Sequence, residues 1–91
     1  MFDMNKAKYE EIVRWCDELS DLDAPLSYEA YRNGRRGLTL RCFAPHDYPD
    51  MDEGAEYFFA VAADALRDEF NLQDVRHGWW TDHVWTAEFK G

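Results

Sequence analysis

The sequence predicts an α+β domain, with two helices packed on one face of a four-stranded antiparallel sheet, in the order α-β-β-α-β-β. Three observations lead there. Two stretches repeat apolar residues at three- and four-residue steps, the period of a helix with one buried face. Four shorter stretches alternate apolar and polar residues, the period of a half-buried strand. These strands come as two pairs, each joined by a short turn. Every element then has one apolar face, and a sheet covered by both helices buries all of them at once. The 91 residues form a single domain, 1–91. A chain of this length buries roughly 60–65% of its unfolded surface. With 46% hydrophobic and 16% aromatic residues it has the material for a core, which excludes a disordered class.

The first helix is expected over residues 4–22. Tyr9, Ile12, Cys16, Leu19 and Leu22 form its apolar stripe, with Val13 and Trp15 flanking. Asp3 or Asn5 is placed to cap free backbone N–H groups at its start. Glu10, Arg14, Asp17, Glu18 and Asp21 fall on the opposite face. Asp17, Glu18 and Asp21 break a local rule. They lie in the C-terminal turns, where the helix dipole is already negative, and each exposed carboxylate there costs roughly 0.3–1 kcal/mol. Pro25 ends the helix, because the residue before a proline is pushed out of the helical region.

Residues 26–32 and 38–44 read as a hairpin. Asn33-Gly34 suggests a two-residue turn, but that register mixes polar and apolar side chains on both faces. An odd-length loop, Asn33–Arg35 or Asn33–Gly37, places Leu26, Tyr28, Ala30, Leu38, Leu40 and Cys42 together. The other face then holds Ser27, Glu29, Tyr31, Thr39, Arg41 and Phe43, with Glu29 opposite Arg41.

A loop with Pro45 and Pro49 leads to the second helix. Asp50 or Asp52 caps it, and Asp50 with Glu53 has capping-box spacing. Ala55, Phe58, Phe59, Ala62, Leu66 and Phe70 form its buried stripe. Glu53, Glu56, Asp64, Asp68 and Glu69 face water. Asn71 suits a left-handed C-terminal cap. Residues 74–80 and 83–89 make the second hairpin. A three-residue loop, Thr81–His83, aligns Val75, His77, Trp79, Trp85, Ala87 and Phe89 on the core face. Trp80 is then expected on the outer face with Arg76, Val84, Thr86 and Glu88.

Charge narrows the partners. The net charge is −9, and residues 45–74 carry nine carboxylates against one base, Arg67. Such a field repels phosphate backbones and anionic membranes, so neither nucleic acid nor a membrane is expected as a direct partner. The Arg cluster at 32, 35, 36 and 41 is the one basic patch, and its acidic flanks reduce it to a solubilising hairpin tip. A basic protein surface is the natural complement. Two cysteines are too few for a secreted disulfide framework, and no apolar run is long enough to span a membrane, so a cytoplasmic setting is expected.

No enzyme signature is present: there is no GxSxG, P-loop, GxGxxG or HExxH. Cys16 and Cys42 fall on core faces, where a thiol is inert. Asp47, Asp50, Asp52 and Glu53 resemble a calcium loop in composition, but lack its central Gly and distal Glu. Zinc needs three or four converging ligands; His77 and His83 fall on different parts of one hairpin and His46 lies in the acidic loop, so ordinary loop and sheet histidines are the first reading and a metal site the lesser one. No enzyme activity, cofactor or metal is expected; the weakest alternative is a divalent-metal binder or small enzyme built on these histidines and the acidic loop.

What remains is a small acidic binding protein that masks a basic surface of a partner. The expected contact residues are Glu56, Asp64, Asp68 and Glu69 on the second helix and Asp17, Glu18 and Asp21 on the first. Trp80, Tyr31 and Phe43 form an alternative aromatic face, suited to an accessory subunit or a homodimer. In size, charge and lack of chemistry the chain is similar in kind to phage-encoded inhibitors of CRISPR or restriction complexes, which act in the host cytoplasm, and to nuclease immunity proteins. That likeness implies a nucleic-acid-processing complex as partner, with the acids as a DNA mimic. No shared motif carries it, and no residue role is transferred.

Overall fold

A computed structural model describes residues 6–34, 36–45, 56–81 and 83–91, and the side chains of all of these except 77 and 79–81. The elements are α1 (Lys6–Leu22), β1 (Ser27–Asn33), β2 (Gly37–Phe43), α2 (Glu56–Phe70), β3 (Gln73–Thr81) and β4 (Val84–Lys90). This is the α-β-β-α-β-β order read from the sequence. The four strands form one antiparallel sheet in the order β1-β2-β4-β3. The expected caps at Asp3, Asn5, Asp50 and Asp52, the paired Glu53, and the residues His46, Asp47, Ala55 and Arg35 lie outside the described residues.

The first hairpin follows the five-residue register. Arg32 pairs with Leu38 and Tyr28 with Cys42, and Asn33 and Gly37 add one more pair at the tip. Gly34 takes the left-handed conformation, φ 75°. A Cβ on Gly37 would stand 2.0 Å from the Asn33 carbonyl oxygen, so the tip closes only with glycine there. All six expected core residues are buried: Leu26, Tyr28, Ala30, Leu38, Leu40 and Cys42. On the outer face Glu29 pairs with Arg41 in register, as expected.

β2 joins the second hairpin through β4, with Leu38 opposite Phe89, Leu40 opposite Ala87 and Cys42 opposite Trp85. The core therefore lies on one sheet face, beneath Ile12 and Cys16 of α1 and Phe59, Ala62, Ala63 and Leu66 of α2. Both helices cover that face. β4 is buried at three successive residues, Trp85, Thr86 and Ala87, which suits an inner strand. β3, carrying Asp74, Arg76 and Gly78, takes the edge.

The second hairpin departs from the expected register. Arg76 pairs with Glu88 as anticipated, but two shifts interrupt the ladder. Between Asp74 and Arg76 the extra residue is Val75, which is 57% exposed rather than in the core. Between Arg76 and Trp79, residues 77 and 78 oppose Ala87 alone, and Gly78 adopts φ 70°. This is a β-bulge, which moves every later residue by one position. The connection is consequently two residues long, 82–83, closed by Thr81 opposite Val84, with His83 at φ 66°. Trp80 is paired with Trp85, in the core-face row of β4, and Trp79 with Thr86, in the outer-face row. The three-residue loop implies a pairing of Trp80 with Val84, and the ladder pairs Trp80 with Trp85 instead.

α1 also closes the free edge of β1. Ser20 Oγ accepts from the Tyr28 backbone N–H at 2.8 Å, and the Tyr9 hydroxyl donates to the Ala30 carbonyl at 3.0 Å. These edge groups would otherwise be a template for another strand. The opposite edge, β3, is interrupted by its two bulges. α2 ends in a Schellman motif: Asn71 is left-handed at φ 55°, the Leu72 N–H donates to the Arg67 carbonyl at 2.9 Å, and Leu72 is buried. Two residues of the expected helical stripes are exposed, and Tyr9, Leu19 and Phe70 are half-buried. Leu22, at the last turn of α1, is 80% exposed, and Phe58 is 40% exposed, while Phe59 and Ala63 are buried.

Candidate functional site

The helical layer carries the acidic surface. α1 holds five carboxylates against three basic residues, and α2 four against one. The four strands together hold three acids, Glu29, Asp74 and Glu88, against four bases, Arg32, Arg41, Arg76 and Lys90. The fold therefore sorts charge by layer. Because the sheet needs both helices over its apolar face, their polar faces point to the same side of the molecule.

All seven helical acids read as contact residues are exposed: Asp17, Glu18, Asp21, Glu56, Asp64, Asp68 and Glu69. Three carboxylates gather on one base. Arg67 lies 3.2 Å from Asp64 Oδ1, 3.2 Å from Asp68 Oδ1 and 3.0 Å from Asp74 Oδ2. Asp64 and Asp68 reach it from adjacent turns, and the Schellman turn returns Asp74 to it. Exposed pairs of this kind add little stability. Their consequence here is electrostatic: Arg67 offsets part of the field on that side of α2. Glu56 sits in the first turn of α2, where a carboxylate agrees with the dipole.

α1 differs. Its last turn contains no basic residue, and Glu18 and Asp21 stand there or immediately before it. Reversing both, Glu18→Lys with Asp21→Lys, removes two unfavourable dipole interactions and adds two favourable ones. The expected result is a gain of about 1–2 kcal/mol in unfolding free energy at low salt, shrinking as salt is added. Urea denaturation measures it, and a lower midpoint for the variant would show that these acids support the fold.

The aromatic sheet face is less available. Tyr31 is exposed, but its hydroxyl donates to Glu29 and its ring lies under the Arg41 guanidinium, 5.3 Å from the ring centroid. The Glu29 hydrogen bond raises the Tyr31 pKa. Phe43 is half-buried. Trp80 pairs with Trp85 along the β3–β4 ladder. Tyr31 does share an open cavity of about 320 Å³ with Asp17, together with Tyr9 and Glu29.

A set of residues the sequence reading passed over lies between the helices. Trp15 and Leu19 of α1 and Tyr57, Phe58, Val61 and Ala65 of α2 line a groove of about 290 Å³. The signal was present: Tyr57 and Val61 are apolar residues off the buried stripe of α2, and Trp15 flanks that of α1.

Thiolate chemistry at the two cysteines is disfavoured by their burial. Burial pushes the thiols of Cys16 and Cys42 up to about 12, so neither is a thiolate near neutral pH. Among the described residues no three His, Cys, Asp or Glu side chains gather as a metal site, and no helix is long and apolar enough to cross a membrane.

The fold and this surface define a small α+β domain with a charge-segregated helical layer. No protein-family model, curated protein or solved structure matches the chain at a significant level.

Proposed function

We propose that the protein is a non-enzymatic binding domain that masks a basic surface of a partner protein, with the exposed carboxylates of α1 and α2 as its contact face. The observation that carries this reading is the segregation of charge. Nine carboxylates against four bases stand on the helices, while the strands are slightly basic. The acids closing α1 add to it, since they oppose the dipole of the helix that bears them. A surface kept against local stability is expected where function needs it.

A partner that handles nucleic acid suits this face best. Carboxylates three or four residues apart on a helix are about 5–6 Å apart, a spacing of the same order as successive phosphates on a strand. The groove a nucleic acid would occupy is then the surface covered, which is how a phage-encoded inhibitor of a CRISPR or restriction complex would act. Such a complex holds its guide duplex in a positively charged channel.

The test is affinity capture from the cells in which the protein is made, with wild type and the variant Glu18→Lys/Asp21→Lys/Glu56→Lys in parallel. Wild type is expected to retain a basic protein that the variant does not. Because two of the three substitutions are expected to stabilise α1, lost binding cannot be assigned to unfolding if the variant's denaturation midpoint is unchanged or raised. Equal retention by both would remove the acidic face from the interface.

A further inference from the structure

The groove between α1 and α2 is lined mainly by apolar side chains, with Asp23 also in its wall, and is open to solvent. Tyr57 is 66% and Val61 52% exposed, and Leu22 extends the apolar strip one turn beyond Leu19. Contiguous exposed apolar surface of this kind marks an interaction site more often than scattered single residues do. Its shape suits side chains of a helix. From Tyr57 to Ala65 the strip runs two turns of α2, about 12 Å at 1.5 Å per residue. An incoming helix presents anchors at i, i+4 and i+7 over about the same distance. The cavity itself, about 290 Å³, lies at the small end of sites for a drug-sized ligand.

Charge selects the occupant. Glu11 and Glu18 stand four residues before and three after Trp15. Asp64 follows Val61 by three residues, and Asp68 and Glu69 follow Ala65 by three and four. These spacings set carboxylates on the turns beside the apolar strip of each helix. Lys8, Arg14 and Arg67 offset part of this charge, and the helices remain acidic overall. A second copy docking groove to groove would bring acidic rims together, which like-charge repulsion opposes.

We propose that this groove receives an amphipathic helix of the partner, whose apolar stripe enters between α1 and α2 and whose Lys and Arg residues meet the flanking carboxylates. This rests on the acidic helical layer being the binding face, and it names the element of the partner that is bound. The carboxylates supply attraction and orientation, and Trp15, Tyr57, Phe58 and Val61 supply the anchor.

Three synthetic peptides of about five helical turns test it by calorimetry. The first has Leu at i, i+3, i+4 and i+7 spacing with Lys at the remaining positions. The second has the same composition in scrambled order. The third keeps the Leu pattern with Glu in place of Lys. The first is expected to bind at least about tenfold more tightly than the second, and the third not to bind. Tyr57→Ser/Val61→Ser, both exposed positions, is expected to abolish the preference for the first peptide while leaving the circular dichroism unchanged. Equal binding of the first two peptides overturns the groove proposal and leaves the acidic reading standing. Equal binding of the first and third overturns the acidic reading. No binding of any peptide overturns the proposal, as does a dimer of the free protein that Tyr57→Ser/Val61→Ser dissociates, since the occupant would then be a second copy.

Discussion

Phe59→Ala is expected to lower the unfolding free energy by about 3–5 kcal/mol, out of a total of about 5–15 kcal/mol for a domain of ordinary stability. Phe59 is 1% exposed and is the largest side chain that α2 places in the core. Its ring stacks on Trp85 with centroids 6.3 Å apart and planes 24° from parallel. The other buried positions of α2 are Ala62, Ala63 and Leu66, and two alanines cannot close the space a lost ring leaves. Phe59→Leu keeps most of the volume and is expected to cost under about 1.5 kcal/mol. Urea denaturation of the three proteins checks the ordering. A cost for Phe59→Ala below about 1 kcal/mol would mean that α2 is not held through this residue.

Alkaline pH is expected to unfold the protein, beginning above about pH 9. Cys16, Cys42 and Tyr28 are all buried with their protons on. Burial raises both thiols from the ordinary 9.0 to about 12. Burial also raises Tyr28, whose hydroxyl donates to Asp23 Oδ2 at 2.8 Å. In the unfolded chain these groups lose their protons at ordinary values, so between pH 9 and 12 the folded state binds more protons than the unfolded state. Stability is therefore full below the unfolded values and falls as pH rises. Each group contributes a slope of up to about 1.4 kcal/mol per pH unit where the two states differ by a whole proton. Three groups acting together remove on the order of 4 kcal/mol per unit above pH 10. Denaturation midpoints from pH 7 to 11 measure the slope. Cys16→Ala/Cys42→Ala is expected to lose most of it, whatever its stability at pH 7, because of the three buried groups only Tyr28 remains to titrate. An unchanged slope in the double variant would place the lost protons elsewhere.

The parts of the fold set by local alternation were legible in the sequence, and those set by interruptions of it were not. Leu26, Tyr28, Ala30, Leu38, Leu40 and Cys42 share a face in any regular hairpin with an odd loop, and all are buried. The same reasoning failed in the second hairpin because it assumed an unbroken ladder. Gly78 inside a strand was the available sign of a bulge. The shift at Gly78 pairs Trp80 with Trp85, and a separate shift between Asp74 and Arg76, with no such sign in the sequence, leaves Val75 57% exposed. Strand order was beyond reach, because it depends on which edge of each hairpin meets the other, a choice made by long-range packing. The helical acids were legible as exposed, since polar residues opposite an apolar stripe have nowhere else to go. Their gathering on Arg67 was half legible: Asp64 and Asp68 lie within one turn of it, but Asp74 arrives only through the turn after Asn71. The apolar groove was hidden because Phe58 suits the buried stripe as well as its rim.

The central claim, that exposed carboxylates on α1 and α2 form the contact face, is tested most directly by the salt dependence of affinity for the captured partner. Interactions between exposed charges are screened within a Debye length of about 10 Å at 0.1 M salt and about 3 Å at 1 M. The affinity is expected to fall steeply and continuously over that range, and to fall less steeply for Glu18→Lys/Asp21→Lys/Glu56→Lys. An affinity that stays level from 0.1 to 1 M salt would contradict the claim and assign binding to uncharged surface.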